Sequence, residues 1–274
     1  MTELVLREPL ASLWRERDAF AEAAALAGVV VRHKEGRETI RCTIDGAVYY
    51  RKFHRGVGWW EILKNLIQLR RPVVDASNEW LAINRLTELG IATLSAVAYG
   101  RRGANPATRQ SFLITRELTG TLSTAEFTRE WPNQPPPFAL RRAMIARIAT
   151  ICRQLHGNGI NHRDLYLCHF LLDLTRGEDS LQPGNVDFFV VDLHRAQLRP
   201  AVPRRWLVKD IASIYFSALD IGLGRRDVLR FLRVYYDAPL RQVLADNRAF
   251  FAAVRNKARK LYLRDFHREP VFPL

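Results

Sequence analysis

The chain has 274 residues, which is long enough for one large domain or for two smaller lobes that share a cleft. Lysine and arginine outnumber the acidic residues and leave a net charge of +14, which favours anionic partners such as anionic lipid, phosphorylated substrates, nucleic acid or an acidic protein. No apolar run reaches the roughly 18 residues that span a bilayer, and the N-terminus lacks a signal-peptide pattern. We therefore expect a globular, cytoplasmic protein.

The first third of the chain alternates short strands with helices. Asp45-Gly46 predicts a tight hairpin turn, because glycine readily adopts a positive φ. Apolar residues with helical spacing predict one helix over Trp60–Arg70, ended by Pro72, and a second over Ser77–Leu89. The predicted strands are Val29–His33, Thr39–Ile44, Ala47–His54, Ser95–Gly100 and Ser111–Glu117.

The composition changes after the fifth predicted strand. The proline-rich residues 131–137 predict a surface connection, since proline fits neither a helix interior nor a central strand. A long helix follows and ends at Gly157, and a strand–loop–strand unit is predicted over Phe170–Leu174 and Val186–Leu193. Further helices begin near Lys209. A front rich in strands and a back rich in helices predict an α+β architecture.

The strongest chemical signal is the triplet His162-Arg163-Asp164, which follows a helix and a glycine turn and precedes the strand pair. This is the setting of a kinase catalytic loop, whose aspartate accepts the proton of the attacking hydroxyl. We therefore predict that all three residues are catalytic, with Asp164 as the base. The predicted fold is protein-kinase-like, with a small strand-rich N-lobe over residues 1–118, a larger helical C-lobe over residues 119–274 and a cleft between them.

Two further residues form the predicted metal end of the site. Asp192 ends an apolar strand, where kinases place the aspartate that holds Mg²⁺ against the nucleotide phosphates. His169 occupies the position at which protein kinases have an asparagine ligand, and an imidazole can bind a metal or a phosphate oxygen. Asp187 competes with Asp192, but it begins the strand rather than ending it. We predict that Asp192 and His169 bind Mg²⁺ and ATP.

The front of the chain supplies the predicted nucleotide contacts. Lys52 lies on the third strand, where kinases place the lysine that contacts the α- and β-phosphates, and Glu79 on the second helix is placed to pair with it. Arg51 is the neighbouring alternative, although strand alternation points it to the opposite face. Glu117 lies at the end of the fifth predicted strand, at the position of an adenine-binding hinge. Asp210 is either a helix N-cap or a brace for the catalytic loop, and a glycine-rich phosphate loop is missing.

Taken together, these motifs resemble the lipopolysaccharide core heptose(I) kinase family, in which a histidine at the position of His169 is expected. The segments that carry the resemblance are residues 8–15, 18–20, 64–67, 71–73, 162–172, 192–197 and 203–210. The resemblance implies ATP- and Mg²⁺-dependent phosphorylation of the first heptose of the lipopolysaccharide inner core. It also implies a Gram-negative cytoplasm and peripheral contact with the cytoplasmic face of the inner membrane.

Two basic stretches offer surfaces for partners. Trp59 and Trp60 open an amphipathic helix that carries Lys64, and Phe250–His267 mixes aromatic with basic residues. Each could lie on an anionic membrane or bind a small acidic protein, or each could be a core-packed helix with a solvated basic face.

Three other interpretations stay open from the residues alone. A kinase-like enzyme acting on protein or small-molecule hydroxyls would share every ATP-site residue. A non-catalytic kinase-like binding module is favoured by the missing glycine motif and by Leu193-His194 after Asp192. A nucleic-acid-binding protein is supported by net charge only, and we predict no nucleic-acid partner.

Overall fold

The structure is a computed structural model that describes residues 2–34, 36–67 and 74–273. The chain divides into two units, the first built from Met1–Arg85 and Leu94–Leu118 and the second from Leu86–Thr93 and Thr119–Leu274. The first unit is rich in strands and the second in helices, as the α+β prediction states. The assignment of nucleotide binding to the front lobe and of catalysis to the back lobe stays a prediction.

A six-stranded antiparallel sheet forms the first unit, in the order β1-β5-β6-β4-β3-β2. Its strands are β1 (Thr2–Leu6), β2 (Val29–Lys34), β3 (Arg37–Ile44), β4 (Ala47–His54), β5 (Ala96–Arg102) and β6 (Gln110–Arg116). Asp45 and Gly46 close the β3–β4 hairpin with φ angles of +49° and +74°, as a type I′ turn requires. Because β4 pairs with β3 on one side and β6 on the other, its backbone is held by hydrogen bonds along both edges. The side chains that it carries therefore have well-defined positions.

The core of the first unit lies where the sheet packs against two short helices, α1 (Leu10–Leu13) and α2 (Ala19–Ala25). The buried rings of Phe20 and Phe112 meet edge-on with centroids 5.1 Å apart. A Cβ on Gly100 would lie 2.4 Å from the Phe112 ring, so this position requires glycine. Full burial of one such phenylalanine stabilises a fold by roughly 1.5–3 kcal/mol.

Two helices follow β4 along the chain, α3 (Gly58–Ile67) and α4 (Ser77–Glu88). The helix predicted over Trp60–Arg70 is present from Gly58, while its predicted end at Pro72 lies outside the described residues. The helix predicted over Ser77–Leu89 is confirmed to within one residue.

The second unit is mainly helical. Its helices are α5 (Thr124–Phe127), α6 (Phe138–Gly157), α7 (Arg204–Ser217), α8 (Arg225–Tyr236), α9 (Leu240–Asp246) and α10 (Arg248–Phe266). Its strands are β7 (Thr121–Ser123), β8 (Ile160–Asn161), β9 (Phe170–Asp173), β10 (Phe188–Val190) and β11 (Gln197–Leu198). These strands form a three-stranded sheet in the order β10-β9-β7 and a separate β11-β8 pair. The predicted strand–loop–strand unit is therefore confirmed as β9 and β10. Strand β9 begins directly after His169, and β10 ends two residues before Asp192.

The predicted boundaries fail at several short elements. The helix predicted near Lys209 begins five residues earlier, at Arg204, directly after Pro203, because proline is well suited to the entry of a helix. The patterns do not predict β1, α1, α2, β7 or α5, which have at most seven residues each and are too short to show a period.

An apolar cavity of about 380 Å³ lies within the second unit. Ile211 and Ile214 of α7 line it, and Arg255 of α10 is a cation on its lining. The other lining residues include Trp131, Ile148, Phe231 and Val254. Among the described residues, no helix is long and apolar enough to cross a membrane.

Candidate active site

Lys52 and Glu79 form a half-buried ion pair in the first unit. Lys52 projects from the central strand β4, and its Nζ lies 2.6 Å from Oε1 of Glu79 in the first turn of α4. Only 3% of the Glu79 side chain is exposed, so the lysine has one fixed partner. Arg51 points away from this pair, since its buried guanidinium bonds Glu38 at 2.8 Å. The structure thus brings Lys52 and Glu79 together, and their role toward a nucleotide stays a prediction.

Glu117 is held by its own sheet. Its carboxylate accepts hydrogen bonds from Nε and Nη2 of Arg41 at 2.7 and 2.9 Å and from the hydroxyl of Tyr50 at 3.1 Å. The bond from Arg41 lowers the pKa of Glu117. Its backbone N–H donates to the carbonyl of Val48, so an adenine contact at Glu117 would fall to its carbonyl oxygen.

The catalytic loop of the second unit begins after β8 and is braced by Asp210. The two carboxylate oxygens of this buried residue accept the backbone N–H groups of His162 and Arg163, each at 2.7 Å. Arg163 has a φ of +76°, a conformation that costs a non-glycine residue about 1–3 kcal/mol and that these bonds hold in place. Asp210 lies inside α7, so the N-cap alternative is wrong and the brace alternative is correct.

His162 is a buried support beneath the loop. Its Nε2–H donates to the carbonyl of Val191 at 2.9 Å, and its ring stacks on that of His169 with centroids 5.7 Å apart. Burial lowers the pKa of His162 and so favours the neutral ring. This geometry gives His162 a positioning task, and a catalytic role for it stays a prediction.

Asp164 carries two cationic partners that the sequence patterns do not predict. Nη1 of Arg195 donates to both carboxylate oxygens at 3.0 and 2.8 Å, and Nζ of Lys209 lies 3.2 Å from Oδ1. Nζ of Lys209 also donates to the backbone carbonyl of Arg163. Burial alone would raise the pKa of Asp164, but Lys209 and Arg195 lower it below its ordinary value. The carboxylate is therefore ionised and oriented at neutral pH.

The sequence gives a weak signal for these two cations. Lys209 directly precedes the brace Asp210, and Arg195 follows Asp192 by three residues. Neither position belongs to the His-Arg-Asp motif, so only the folded chain shows that both reach Asp164.

Asp192 and His169 lie together at the end of β10. Asp192 adopts a left-handed φ of +61°, and its Oδ1 accepts a hydrogen bond from Nδ1 of His194 at 2.6 Å. Its Oδ2 lies 3.4 Å from Nε2 of His169, whose Nδ1–H donates to the carbonyl of Asp164 at 2.6 Å. Hence the catalytic loop and the β10 end are joined through one imidazole.

The charge of His169 bears on its predicted metal role. Burial would lower the pKa of His169, but hydrogen bonds to the Cys168 side chain and the Asp164 carbonyl, together with the charge of Asp192, raise it to about 9. A metal bond from Nε2 would require the loss of that proton. Ligation by His169 therefore stays a prediction, while Asp192 offers an oxygen ligand of the kind that Mg²⁺ prefers.

The side chains around Asp192 offer few ligands for Mg²⁺. No cluster of three or more histidine, cysteine or acidic side chains able to hold a metal occurs in the described part of the chain. Mg²⁺ commonly binds through one or two carboxylates and completes its shell with substrate phosphates and water. Asp192 fits this pattern, so a magnesium ion here would depend on a bound nucleotide.

Comparisons with known proteins agree with these features. A model of the lipopolysaccharide kinase (Kdo/WaaP) family matches residues 21–235. The lipopolysaccharide core heptose(I) kinase WaaP of Pseudomonas aeruginosa PAO1 is 50% identical over 264 residues, 95% of this chain and 96% of that relative. The protein of the same name from Escherichia coli K12 is 48% identical over 242 residues, 88% of this chain and 89% of that relative.

A solved structure extends the comparison to the fold. It is described as WaaP in complex with acyl carrier protein, and it matches with a TM-score of 0.83 and 45% identity over 95% of this chain and 99% of that chain. The protein-kinase-like fold and the family resemblance predicted from the sequence are thereby confirmed.

Proposed function

This chain belongs to the lipopolysaccharide kinase (Kdo/WaaP) family, and on that basis we propose that it transfers the γ-phosphate of ATP to the first heptose of the lipopolysaccharide inner core. The observation that carries the proposal is the braced, ionised Asp164 in a chain about half identical to heptose(I) kinases over nearly its whole length. A kinase requires ATP as its substrate.

Asp164 acts on the acceptor hydroxyl. Its carboxylate accepts a hydrogen bond from that hydroxyl and aims the oxygen at the γ-phosphorus. Since phosphoryl transfer has a loose transition state, orientation and charge matter more than early proton removal. A lowered pKa is compatible with this task, and the proton moves to Asp164 late in the reaction. Arg195 and Lys209, which already lie against Asp164, offset the negative charge of the moving phosphoryl group.

Lys52 and Asp192 serve the nucleotide in the same proposal. Lys52, fixed by Glu79 at 2.6 Å, contacts the α- and β-phosphates. Asp192 would hold Mg²⁺, with His169 beside it, and the ion would neutralise charge on the β- and γ-phosphates.

The test is phosphate transfer from ATP with Mg²⁺ to core lipopolysaccharide that lacks heptose phosphate. Wild-type protein should phosphorylate the first heptose, and Asp164→Asn should not. Asp179→Asn, an exposed residue of the same unit, is the matched control and should keep wild-type turnover. Transfer only to protein or small-molecule hydroxyls would favour the alternative kinase, and ATP binding without any transfer would favour a binding module.

We further propose acyl carrier protein as a partner, because the solved neighbour was captured with one. Acyl carrier protein is small and acidic, which suits a chain of net charge +14. The apolar cavity with Arg255 on its lining gives an acyl chain a place to bury and the acidic protein a cation to meet. Binding should be stronger for the acylated than for the unacylated form and should weaken with salt. Arg255→Glu should weaken it, whereas Arg32→Glu on β2 should not.

The predicted location at the inner membrane also stays a proposal, supported by α3. Trp59, Trp60, Leu63 and Ile67 are 55%, 80%, 49% and 82% exposed, and tryptophan favours the membrane interface. A vesicle flotation assay should show binding to anionic but not to zwitterionic vesicles. The double change of Trp59 and Trp60 to serine should abolish it, while Val271→Ser, at a position 85% exposed, should not. Equal binding by all three proteins would contradict this proposal.

A further inference from the structure

Arg163 is a buried arginine whose Nε has no acceptor in the described part of the chain. Only 4% of the residue is exposed, and its Nε is buried without a hydrogen-bond partner. Within the described residues, no carboxylate pairs with its guanidinium, whose nearest defined contact is the ring of Trp206, with Cζ 4.9 Å from the centroid. A buried charge is costly unless a partner compensates it, so the arrangement indicates a ligand of opposite charge.

A second buried donor lies beside this guanidinium. The indole N–H of Trp206 is also buried and has no acceptor among the described residues. An indole nitrogen and a guanidinium can only donate, so both groups are suited to the same kind of ligand, one rich in acceptor oxygens. The two observations are independent, because one concerns a charge and the other a neutral N–H.

The nearby carboxylates are already engaged. Asp210 accepts two backbone N–H groups, and Asp164 accepts from Arg195 and Lys209. Burial and the charges of Arg195 and Arg199 lower the pKa of Arg163 and outweigh the opposing charges of Asp164 and Asp210.

The segment that follows Asp192 in the sequence does not supply an anion for Arg163. Residues 193–203, which connect Asp192 to α7, contain no serine, threonine or tyrosine. A phosphate attached to this segment is therefore excluded. The nucleotide phosphates are assigned to Lys52 and Asp192 in the proposed function, which leaves the acceptor as the source.

We propose that Arg163 and Trp206 form a subsite for an acidic group of the acceptor, a carboxylate or phosphate on a sugar next to the heptose that is phosphorylated. The inference rests on the proposed function and deepens it, because it states what distinguishes the acceptor from a neutral sugar. Arg163 directly precedes Asp164, so an anion held by Arg163 places the neighbouring sugar near the base. A planar guanidinium can bind a carboxylate or phosphate through two parallel hydrogen bonds.

The kinetic test compares two water-soluble core oligosaccharides. One keeps its acidic groups, and in the other the carboxyl groups are reduced to alcohols and the phosphates removed. Wild-type kcat/KM should be about 10- to 100-fold higher for the acidic acceptor, the scale of losing one charge-assisted hydrogen-bonded contact. In Arg163→Gln this ratio should fall close to 1, and Arg163→Lys should restore part of it. A third acceptor that keeps only the carboxylates tells a carboxylate from a phosphate.

The ratio is the readout because a general loss of activity or of folded protein lowers both values alike. Trp206→Phe keeps the aromatic ring but removes the N–H, and it should lower the ratio by a smaller factor. Arg205→Gln is the matched control, since Arg205 is exposed and its Cζ lies 5.1 Å from the centroid of the same indole. It should leave the ratio at the wild-type value. An Arg163→Gln ratio equal to wild type would overturn the subsite.

A binding measurement separates this subsite from the proposed function. With a non-hydrolysable ATP analogue in the nucleotide site, inorganic phosphate should raise the Tm of the wild type and of Arg205→Gln, but not of Arg163→Gln. If no acceptor is phosphorylated, the proposed function fails, and this titration still decides the subsite. Equal stabilisation of all three proteins would contradict it.

Discussion

Charged side chains are paired differently in the two units. In the sheet of the first unit, three of the described cations each meet one carboxylate. The pairs are Lys52–Glu79, Arg51–Glu38 and Arg41–Glu117. In the catalytic loop of the second unit, Asp164 alone meets Arg195 and Lys209, while Arg163 meets an aromatic ring instead of a carboxylate. The one-to-one pairs hold their side chains in place and carry no net charge. The catalytic loop has a net positive charge, which we expect to be neutralised by anionic groups of the substrates.

The largest expected effect comes from removing the one carboxylate in that loop. Asp164→Asn keeps the size of the side chain but loses the charge that orients the hydroxyl, and kcat should fall by about 100- to 10,000-fold. Single-turnover transfer from ATP measures it, and circular dichroism should show an unchanged fold. Turnover within threefold of wild type would remove Asp164 from the reaction.

Removing Lys52, the cation paired with Glu79 in the first unit, should lower kcat/KM for ATP more than kcat/KM for the acceptor. In Lys52→Met, kcat/KM for ATP should fall by about 100-fold, the scale of losing one preorganised charged contact. Glu79→Gln leaves Lys52 without its anion and should cause a smaller loss. Lys257→Met on α10 serves as the control. Larger losses for the acceptor than for ATP would show that the one-to-one pair does not serve the nucleotide.

The two cations on Asp164 should be visible in the pH profile. The folded-state pKa of Asp164 lies below its ordinary value, so its ion pairs stabilise the protein above the unfolded-state pKa and are lost as pH falls through the folded-state pKa. Lys209→Met removes one cation, raises the pKa of Asp164 and should move the acid limb of kcat/KM to higher pH. The same limb in Lys260→Met, an exposed position, should coincide with wild type; a coincident limb in Lys209→Met would contradict the assignment.

The smallest expected effect is a difference in the free energy of unfolding between variants of two buried arginines. Arg51 is 2% exposed and Arg163 is 4% exposed. Arg51→Met leaves Glu38 unpaired and should lower the free energy of unfolding by about 2 kcal/mol. Arg163→Met removes a charge that forms no ion pair with a described carboxylate and should change the free energy of unfolding by less than ~1 kcal/mol, the scale of the contact with Trp206. Urea denaturation of both variants measures the difference. Equal losses would mean that Arg163 is paired in solution.

The sequence predicts the elements that show a periodic pattern of apolar residues, a characteristic turn or a known motif. Five strands, the Asp45-Gly46 turn and the helix over Ser77–Glu88 follow from local periodicity and turn chemistry. The contact between Lys52 and Glu79 follows from motif order. The site roles of all the predicted residues still await the experiments above.

The rest depends on contacts between residues far apart in the chain. Lys209 reaches Asp164 across 45 positions and Asp210 reaches His162 across 48, and no local pattern records such a meeting. The same reasoning applies to Arg163: a motif shows that an arginine is present, but only packing shows that no carboxylate among the described residues forms an ion pair with it.

Helix α7 has a consequence for how this sequence can vary. Lys209 and Asp210 serve the catalytic loop from it, and Ile211 and Ile214, which follow them, lie on the lining of the apolar cavity. Each residue of an α-helix is rotated by about 100° from the one before it. One residue inserted after Pro203 would therefore turn Lys209 and Asp210 away from the loop and both isoleucines away from the cavity together. Support of the catalytic loop and lining of the cavity therefore depend on the same helical register. We expect this helix to tolerate substitutions far more readily than insertions or deletions.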